Sequence, residues 1–155
     1  KKAVPEVRTI TMEDAAAVAE IEHQLFSDAW SEKSVLETVG QQNALCLMAE
    51  KAGRRAGYVL AYDAAGEAGS ARIAVPKELQ RQGVGRALLA ALEEVCKERQ
   101  ITRILLDVRC GNEAARGLYE SAGYREDGVR QHFYENPQED AILMSRSLED
   151  TSSSQ

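Results

Sequence analysis

The pattern best suited to chemistry in this sequence is the glycine- and arginine-rich motif QRQGVGR at residues 80–86. Glycine lets a backbone approach a ligand closely, and the N-terminus of a helix presents free N–H groups with a partial positive charge. An apolar stripe that begins at Val84 and continues through Leu88 predicts that a long helix starts at this motif. We therefore predict a phosphate or pyrophosphate site, with charge added by Arg81 and Arg86; the competing interpretation is a strand-to-helix turn that contains glycines.

The spacing of the glycines excludes two familiar nucleotide-binding motifs. A Walker loop requires GxxxxGK[ST], which the motif does not match. A dinucleotide-binding fingerprint requires a third glycine at position 88, where this chain has Leu88. The motif therefore needs another explanation.

Metal-binding and disulfide patterns are absent from the sequence. The three cysteines, Cys46, Cys96 and Cys110, form no CxxC pair and no cluster with His23 or His132. A zinc site needs closer ligand spacing, and a disulfide framework needs an even number of cysteines. We expect reduced, mostly buried thiols in a reducing cytosol, and no bound metal.

The composition excludes several functional classes. The chain has 155 residues, of which 44% are hydrophobic, and a net charge of −6. This net charge argues against a nucleic-acid binder, which needs a basic face, and no stretch approaches the ~20 apolar residues of a membrane span. The segment KKAVPEVRTI at the start lacks the apolar run of a signal peptide. We expect a cytoplasmic protein with a single domain at residues 1–149 and a disordered tail at 150–155.

Apolar periodicity and turn residues predict the order of helices and strands. Thr11 and Ser31 are suited to cap the first two helices, and Gly123 is suited to end the last one. The predicted helices span residues 11–25, 31–40, 84–99 and 112–122. The predicted strands span residues 7–10, 44–50, 57–62, 71–75, 104–108, 124–130 and 141–147, with a Gly/Ala-rich turn at 63–69. This order favours a mixed α/β fold with a partly antiparallel central sheet flanked by about four helices, not a doubly wound parallel sheet.

The sequence resembles the GNAT acetyltransferases in several segments: IAV (73–75), QRQGVG (80–85), NEAA (112–115) and LYESAG (118–123). A closer resemblance to the ribosomal-protein-alanine N-acetyltransferase (RimI-like) family comes from further segments: FSDAWSEK (26–33) and EDAILM (139–144). With these segments the likeness extends over nearly the whole chain. It implies a GNAT-like mixed sheet and acetyl-CoA as the co-substrate.

The resemblance implies which residues bind acetyl-CoA. Backbone groups of Ile73, Ala74 and Val75 would hold the pantetheine arm, with the Val75 N–H near the thioester carbonyl as an oxyanion donor. Asn112 would also contact the cofactor. The pyrophosphate would be bound by the motif residues Arg81, Gln82, Gly83, Val84, Gly85 and Arg86. Taken alone, Val75 is an ordinary strand residue and Asn112 an ordinary helix N-cap.

The same resemblance implies two catalytic residues. Tyr119 matches the general acid, and a phenol with a pKa near 10 can donate to a thiolate that develops in a dry site. Asp107 aligns with the general base, where the family has glutamate; a bridging water can span the missing methylene. A protein α-amine has a pKa of about 7.7–8.0, so it needs a weaker base than lysine does. Taken alone, Tyr119 is a core aromatic and Asp107 a strand-end partner of Arg103 or Arg109.

The resemblance favours a protein N-terminal peptide as the acetyl acceptor, in particular the N-terminal alanine of a small-subunit ribosomal protein. Trp30, Phe133 and Tyr134 would border the cleft for this peptide. Acetylation of lysine or of a small-molecule amine remains an alternative, as does a non-catalytic acyl-CoA-binding module, because the fold does not fix the acceptor.

Three other reactive side chains are not assigned to the site. Direct transfer needs no covalent intermediate, so Cys110 is required only in a ping-pong mechanism. Glu22 and His23 are predicted to lie on a solvated face of the first helix.

Overall fold

The computed structural model describes residues 4–26, 28–135 and 138–149, so the predicted tail at 150–155 lies outside the described residues. Within these ranges the helices are α1 (Ala15–Leu25), α2 (Glu32–Val39), α3 (Val84–Glu98) and α4 (Glu113–Ser121). The strands are β1 (Glu6–Thr9), β2 (Ala44–Lys51), β3 (Arg54–Ala64), β4 (Glu67–Ala74), β5 (Arg103–Arg109), β6 (Arg125–Tyr134) and β7 (Glu139–Ser147). Short 3₁₀ turns at Met12–Asp14 and Lys77–Leu79 precede α1 and α3.

The described strands form one sheet in the order β1-β2-β3-β4-β5-β7-β6. Neighbouring strands are antiparallel except β4 and β5, which are parallel. A parallel pair requires a crossover connection, and α3 supplies it between the end of β4 and the start of β5. The predicted mixed α/β fold with a partly antiparallel sheet and flanking helices is confirmed.

Helices cover both faces of the sheet. On one face α3 and α4 pack over a core in which Leu88 and Leu92 are fully buried. On the other face α1 and α2 pack over a second core that contains Val18, Val35 and Met48. Burying one such side chain stabilises the fold by about 1.5–3 kcal/mol. The two cores therefore fix the sheet between the helices, including the strand ends where the site lies.

The turn between β3 and β4 is shorter than predicted. β3 continues to Ala64 and β4 begins at Glu67, so Ala65 and Gly66 alone form the turn. Both have positive φ, 54° and 84°, as in a two-residue hairpin. Alanine and glycine have low strand propensity, which is why the sequence suggested a longer turn at 63–69, but cross-strand pairing overrides that propensity here. β6 likewise extends past its predicted end.

A buried carboxylate, Asp14, joins the start of α1 to the sheet. It accepts a hydrogen bond from the Thr11 N–H at 2.8 Å in a capping box around the 3₁₀ turn; Asp14, not the predicted Thr11, is the N-cap of α1. It also pairs with Arg8 of β1 at 2.8 Å and with Arg55 of β3 at 2.7 Å. The hydrogen bond from Arg8 holds the pKa of Asp14 well below its usual range, against the effect of burial, and the bonds from Thr11 and Arg55 add to this shift. Asp14 therefore stabilises the fold in its ionised form.

We expect Asp14→Asn to lower the free energy of unfolding by about 2–3 kcal/mol at pH 7, because a neutral amide cannot pair with two guanidinium groups. A depressed pKa in the folded state gives stability that is complete above the unfolded pKa of about 4 and is lost as the pH falls further. The difference between the two proteins should therefore narrow below about pH 4. Urea unfolding across this range measures it.

Glu50→Gln is the matched control, since Glu50 pairs with the same Arg8 but its side chain is 40% exposed. Its removal should change the free energy of unfolding by less than about 1 kcal/mol. Equal losses in the two variants would contradict the role given to Asp14.

Candidate active site

The sheet opens between β4 and β5. The last pair between these strands joins Ala71 to Leu106, and within the described residues no pair joins the strand ends beyond it. β4 stays paired with β3 as far as Ala74, and β5 stays paired with β7 as far as Arg109. The two strands therefore diverge, and backbone groups along the gap are free to bind a ligand.

A cavity of about 810 Å³ lies at this opening, lined by the ends of α1 and β4, the start of α3 and one face of α4. Its charged lining residues among those described are Lys77, Arg81 and Arg86, without any carboxylate. The chain as a whole has a net charge of −6. The cavity therefore concentrates positive charge in an acidic protein.

Most of the predicted cofactor residues line this cavity: Ile73, Ala74, Val75, Arg81, Gly83, Gly85, Arg86 and Asn112. Two do not. Gln82 is exposed and accepts a hydrogen bond from Lys51 Nζ at 2.7 Å. The side chain of Val84 is buried in the core, so only its backbone N–H is available to a ligand.

The start of α3 has the features of an anion site. Gly83 is the N-cap, with a φ of 86°, and a Cβ added there would meet nothing within 4 Å. Gly85 is tightly packed instead, because its Cβ would lie 2.8 Å from Leu118 Cδ2. Free N–H groups at the helix start, with Arg81 and Arg86 beside them, are suited to a pyrophosphate. The two glycines thus have different roles: Gly83 leaves space, and Gly85 allows close packing of α3 on α4.

Val75 lies one residue beyond the end of β4, not within the strand as predicted. Its carbonyl accepts a hydrogen bond from Gln80 Nε2 at 2.9 Å, so the side chain of Gln80 fixes the backbone here. Within the described residues its N–H makes no hydrogen bond. This N–H is therefore free to donate to a carbonyl oxygen in the cavity.

Asn112 is the N-cap of α4 and also lines the cavity. Its Oδ1 accepts a hydrogen bond from the Ala115 N–H at 3.1 Å. The capping role occupies the oxygen and leaves the amide nitrogen for a ligand. The two interpretations of Asn112 are therefore compatible.

Tyr119 of α4 is 6% exposed and lines the cavity. Its ring packs against Tyr124 at a centroid distance of 5.9 Å. A buried tyrosine of the core usually finds a partner for its hydroxyl, but within the described residues that of Tyr119 forms no hydrogen bond. Burial raises the pKa of Tyr119, so the phenol stays protonated and can donate a proton.

Asp107 of β5 lies on the other side of the opening and does not line the cavity. Leu106 and Val108 belong to the core beneath α3, so strand alternation turns Asp107 towards the face that α1 covers. Arg103 and Arg109, its predicted alternative partners, pair with other carboxylates. Asp107 is therefore not the ion-pair partner of either arginine.

Electrostatic coupling connects Asp107 to Tyr119. Burial raises the pKa of Asp107, while the positive charge of Arg130 opposes that shift. Burial also raises the pKa of Tyr134 to about 12, and the negative charge of Asp107 adds to it. The charge of Tyr134 in turn contributes to the raised pKa of Tyr119. Tyr134 is therefore close to both predicted catalytic residues, one on each side of the opening.

Of the predicted acceptor-side aromatics, Trp30 packs against the core beneath α1 and α2, whereas Phe133 is 40% exposed. Tyr134 packs beneath the guanidinium of Arg109 at 4.3 Å and meets the edge of Phe133 at 4.9 Å between ring centroids. Trp30, after α1, donates its backbone N–H to Glu22 Oε1 at 3.1 Å. Tyr134 is thus an aromatic residue whose pKa the charge of Asp107 affects.

The prediction for Glu22 is wrong, although that for the exposed His23 is confirmed. Glu22 is 0% exposed and accepts a hydrogen bond from the Tyr58 hydroxyl at 2.7 Å. A signal was present in the sequence, because Glu22 follows Val18 by four residues and so shares its buried helix face. The charged partner of Glu22 is Arg72, whose Nε lies 3.2 Å from Glu22 Oε2. Arg72 belongs to no recognisable motif, so the sequence does not indicate this pair.

The cysteines do not form part of the cavity. The Cys110 thiol donates to Glu139 Oε2 at 3.7 Å and lies outside the lining. Burial raises the pKa of Cys46 and of Cys96 to about 11, so both remain neutral thiols. This arrangement favours direct transfer over a cysteine-linked intermediate.

Comparison with known proteins identifies the family. The sequence matches the profile of the Acetyltransferase (GNAT) family over residues 15–124. The chain belongs to the GNAT acetyltransferase family. The predicted resemblance is therefore confirmed.

Individual relatives cover almost the whole of this acetyltransferase. A Bacillus subtilis protein is 34% identical over 139 residues, which are 89% of this chain and 92% of that protein. The ribosomal protein bS18-alanine N-acetyltransferase of Escherichia coli (strain K12) is 33% identical over 141 residues, 90% of this chain and 95% of that protein. The crystal structure of the ribosomal-protein-S18-alanine N-acetyltransferase from Escherichia coli superposes with a TM-score of 0.83 at 30% identity, covering 96% of each chain.

The described part of this acetyltransferase lacks two further features. It contains no group of three or more His, Cys, Asp or Glu side chains arranged to hold a metal ion. Its described helices also include none with the length and apolar character needed to cross a membrane.

We expect Gly83→Ala to weaken acetyl-CoA binding by at least about tenfold in calorimetry. The methyl group fills the space beside the helix N-terminus, and it disfavours the left-handed backbone conformation of residue 83 that leaves this N-terminus open. The strain of a positive φ should also cost about 1–2 kcal/mol of stability.

Gly66→Ala is the matched control, since Gly66 has nearly the same φ, 84° against 86°, and equally open surroundings. It lies in the β3–β4 turn, at the opposite end of β4 from the cavity. The control should lose similar stability and keep its affinity. Equal affinities in both variants would overturn the placement of the pyrophosphate.

Proposed function

We propose that this acetyltransferase transfers the acetyl group of acetyl-CoA to the N-terminal α-amine of a protein, with the N-terminal alanine of a ribosomal protein as the acceptor. The observation that carries the donor is the charge of the cavity, whose described lining has Lys77, Arg81 and Arg86 and no carboxylate. Such a lining fits the phosphates of coenzyme A. The relative named for ribosomal protein bS18 supports the acceptor.

The α1-covered face of the opening supports a cationic acceptor. Two of its arginines are paired with carboxylates, Arg72 with Asp28 at 2.8 Å and Arg109 with Glu139 at 3.2 Å, while Arg130 lies over the Phe133 ring at 5.0 Å and its charge acts on Asp107. Asp107 makes no ion pair within the described residues, so its charge is available to an incoming amine. An α-amine with a pKa of about 8 arrives partly as the ammonium ion, which this carboxylate attracts.

The chain's own groups can move each proton that the reaction requires. Acetyl-CoA supplies the acetyl group as a thioester. Asp107 accepts a proton from the acceptor nitrogen, directly or through one water, as the C–N bond forms. The Val75 N–H donates to the carbonyl oxygen while negative charge develops on it. Tyr119 donates its proton to the sulfur as the C–S bond breaks, so one proton is gained and one is lost by the protein.

The raised pKa of Tyr119 is compatible with this donation. A thiolate that forms in the same dry cavity is also destabilised by the loss of water, so its own affinity for a proton rises. The proton is therefore transferred from the Tyr119 phenol to a thiolate, and the dry cavity raises the proton affinity of both groups.

We expect Tyr119→Phe to lower kcat by about 100-fold or more, with little change in the Kd of acetyl-CoA, because the hydroxyl acts only as the thiolate leaves. Stopped-flow or steady-state kinetics measure kcat, and calorimetry measures the Kd. Tyr124→Phe is the control: Tyr124 is also buried and packs on Tyr119, but it does not line the cavity. Equal losses of kcat in both variants would show that Tyr119 is only a core residue.

We expect Asp107→Asn to slow acetylation of a peptide that begins with alanine mainly below about pH 8, and to recover much of the rate near pH 9, where the amine is already neutral. Asp107→Glu should be tolerated, because it keeps the carboxylate. The measurement is kcat/KM against pH for the three proteins. A profile for Asp107→Asn that matches the wild type at every pH would remove Asp107 from the mechanism.

The stability of the same variant gives an independent check. Because burial raises the pKa of folded Asp107, its ionised form opposes folding, and stability is lost as the pH rises through that pKa. Asp107→Asn should therefore unfold at the same or a higher temperature than the wild type at pH 7. A clear loss of thermal stability would indicate a structural role instead.

A further inference from the structure

A buried polar cluster lies beneath the α1-covered face, and the mechanism does not use it. Its centre is Glu22, whose carboxylate accepts hydrogen bonds from the Tyr58 hydroxyl at 2.7 Å and from the Trp30 N–H at 3.1 Å. A fully buried carboxylate is costly unless it is paired, and Arg72 supplies the charge, with its Nε 3.2 Å from Glu22 Oε2. The cluster thus joins α1, β3 and β4.

Arg72 extends the cluster to the connection between α1 and α2. Its Nη2 donates to Asp28 Oδ1 at 2.8 Å, and its guanidinium lies 3.9 Å above the ring centroid of Phe26. Arg72 of β4 thus contacts Phe26 and Asp28, and Glu22 of α1 binds the backbone N–H of Trp30. Such a planar guanidinium can pair and stack at once, which an ammonium group cannot do.

The connection forms part of the site. Phe26 lines the cavity next to the end of β4. The charges of Arg72 and Asp28 are also close enough to Tyr134 to affect its pKa, alongside those of Asp107 and Arg109. The cluster therefore borders the opening on its α1-covered side, towards which Asp107 points. In the proposed reaction the acceptor approaches from this side.

We propose that Glu22, Arg72 and Asp28 are positioning residues that hold Phe26 and Trp30 as the acceptor-facing wall of the cleft and thereby set the affinity for the acceptor amine. This inference rests on the proposed transfer to a peptide N-terminus. The physical reason is pre-organisation: a wall that is already fixed costs no ordering when the acceptor binds. The cofactor end of the cavity, at the start of α3, contains none of the three residues.

Asp28→Asn tests the proposal with little risk to folding, because the Asp28 side chain is 64% exposed. We expect the KM for a peptide that begins with alanine to rise by about three- to tenfold, with the KM for acetyl-CoA and the melting temperature nearly unchanged. Asp28→Glu keeps the charge and should restore most of the affinity. Glu22→Gln, which removes the central charge, should raise the peptide KM further and also lower stability.

Glu67→Gln is the control variant, since it removes an exposed carboxylate from an arginine pair at the far end of β4. It should leave both KM values unchanged. An Asp28→Asn enzyme with the wild-type peptide KM would overturn the proposal, as would equal rises in the KM for peptide and for acetyl-CoA.

The single tryptophan of the chain, Trp30, gives a readout that does not depend on the acceptor. If the cluster holds this residue, acrylamide should quench its fluorescence more strongly in Asp28→Asn and Glu22→Gln than in the wild type or in Glu67→Gln. A wild-type enzyme that fails to acetylate the alanine peptide would refute the proposed acceptor. The quenching measurement would still decide whether the cluster holds Trp30 in place. Unchanged quenching in both variants would refute the positioning role.

Discussion

The divergence of β4 from β5 is the constraint on which the rest of the site depends. Parallel neighbours in a sheet normally satisfy each other's backbone groups, and an unpaired buried group costs about 1–3 kcal/mol. The separation persists because each strand is anchored on its other side: β4 pairs with β3 as far as Ala74, and β5 pairs with β7 as far as Arg109. The gap therefore holds donors and acceptors that a linear ligand with amide groups can satisfy, in place of a missing strand.

Close packing beside the gap transmits this constraint to the start of α3. A Cβ on Gly57 of β3 would lie 2.8 Å from the Ala74 carbonyl oxygen and 3.1 Å from Val84 Cγ1, so the end of β4 and the first turn of α3 are both pressed against β3. On the side of α3 that faces α4, Gly85 allows Leu118 of α4 to approach the same turn. The arginine-lined end of the cavity and the tyrosine-bearing helix are thus packed together through glycines at which an added Cβ would force a neighbour to move.

Local patterns in the sequence predicted the parts of this site that depend on neighbours in the chain. The helix start at Gly83, the cap at Asn112 and the cap at Ser31 follow from residues within a few positions, and the structure contains all three. The partners of Glu22 could not be found in this way, because Tyr58 and Arg72 reach it only after β3 and β4 have paired. Conversely, Val75 is a residue type that favours strands, yet it lies one residue beyond the end of β4. Its carbonyl accepts a hydrogen bond from the Gln80 side chain there.

The two sides of the opening differ in electrostatic character, and this difference fits two ligands of opposite charge. The cavity side has three cations among its described lining residues and no carboxylate, whereas the α1-covered side has the carboxylate of Asp107, near the charge of Arg130, and its Arg72 and Arg109 are paired with other carboxylates. An anionic cofactor and a cationic acceptor would each be attracted to its own side of the sheet. They would meet only where β4 and β5 separate, at the free N–H of Val75. A single opening in the sheet would therefore both separate the ligands by charge and bring their reacting atoms together.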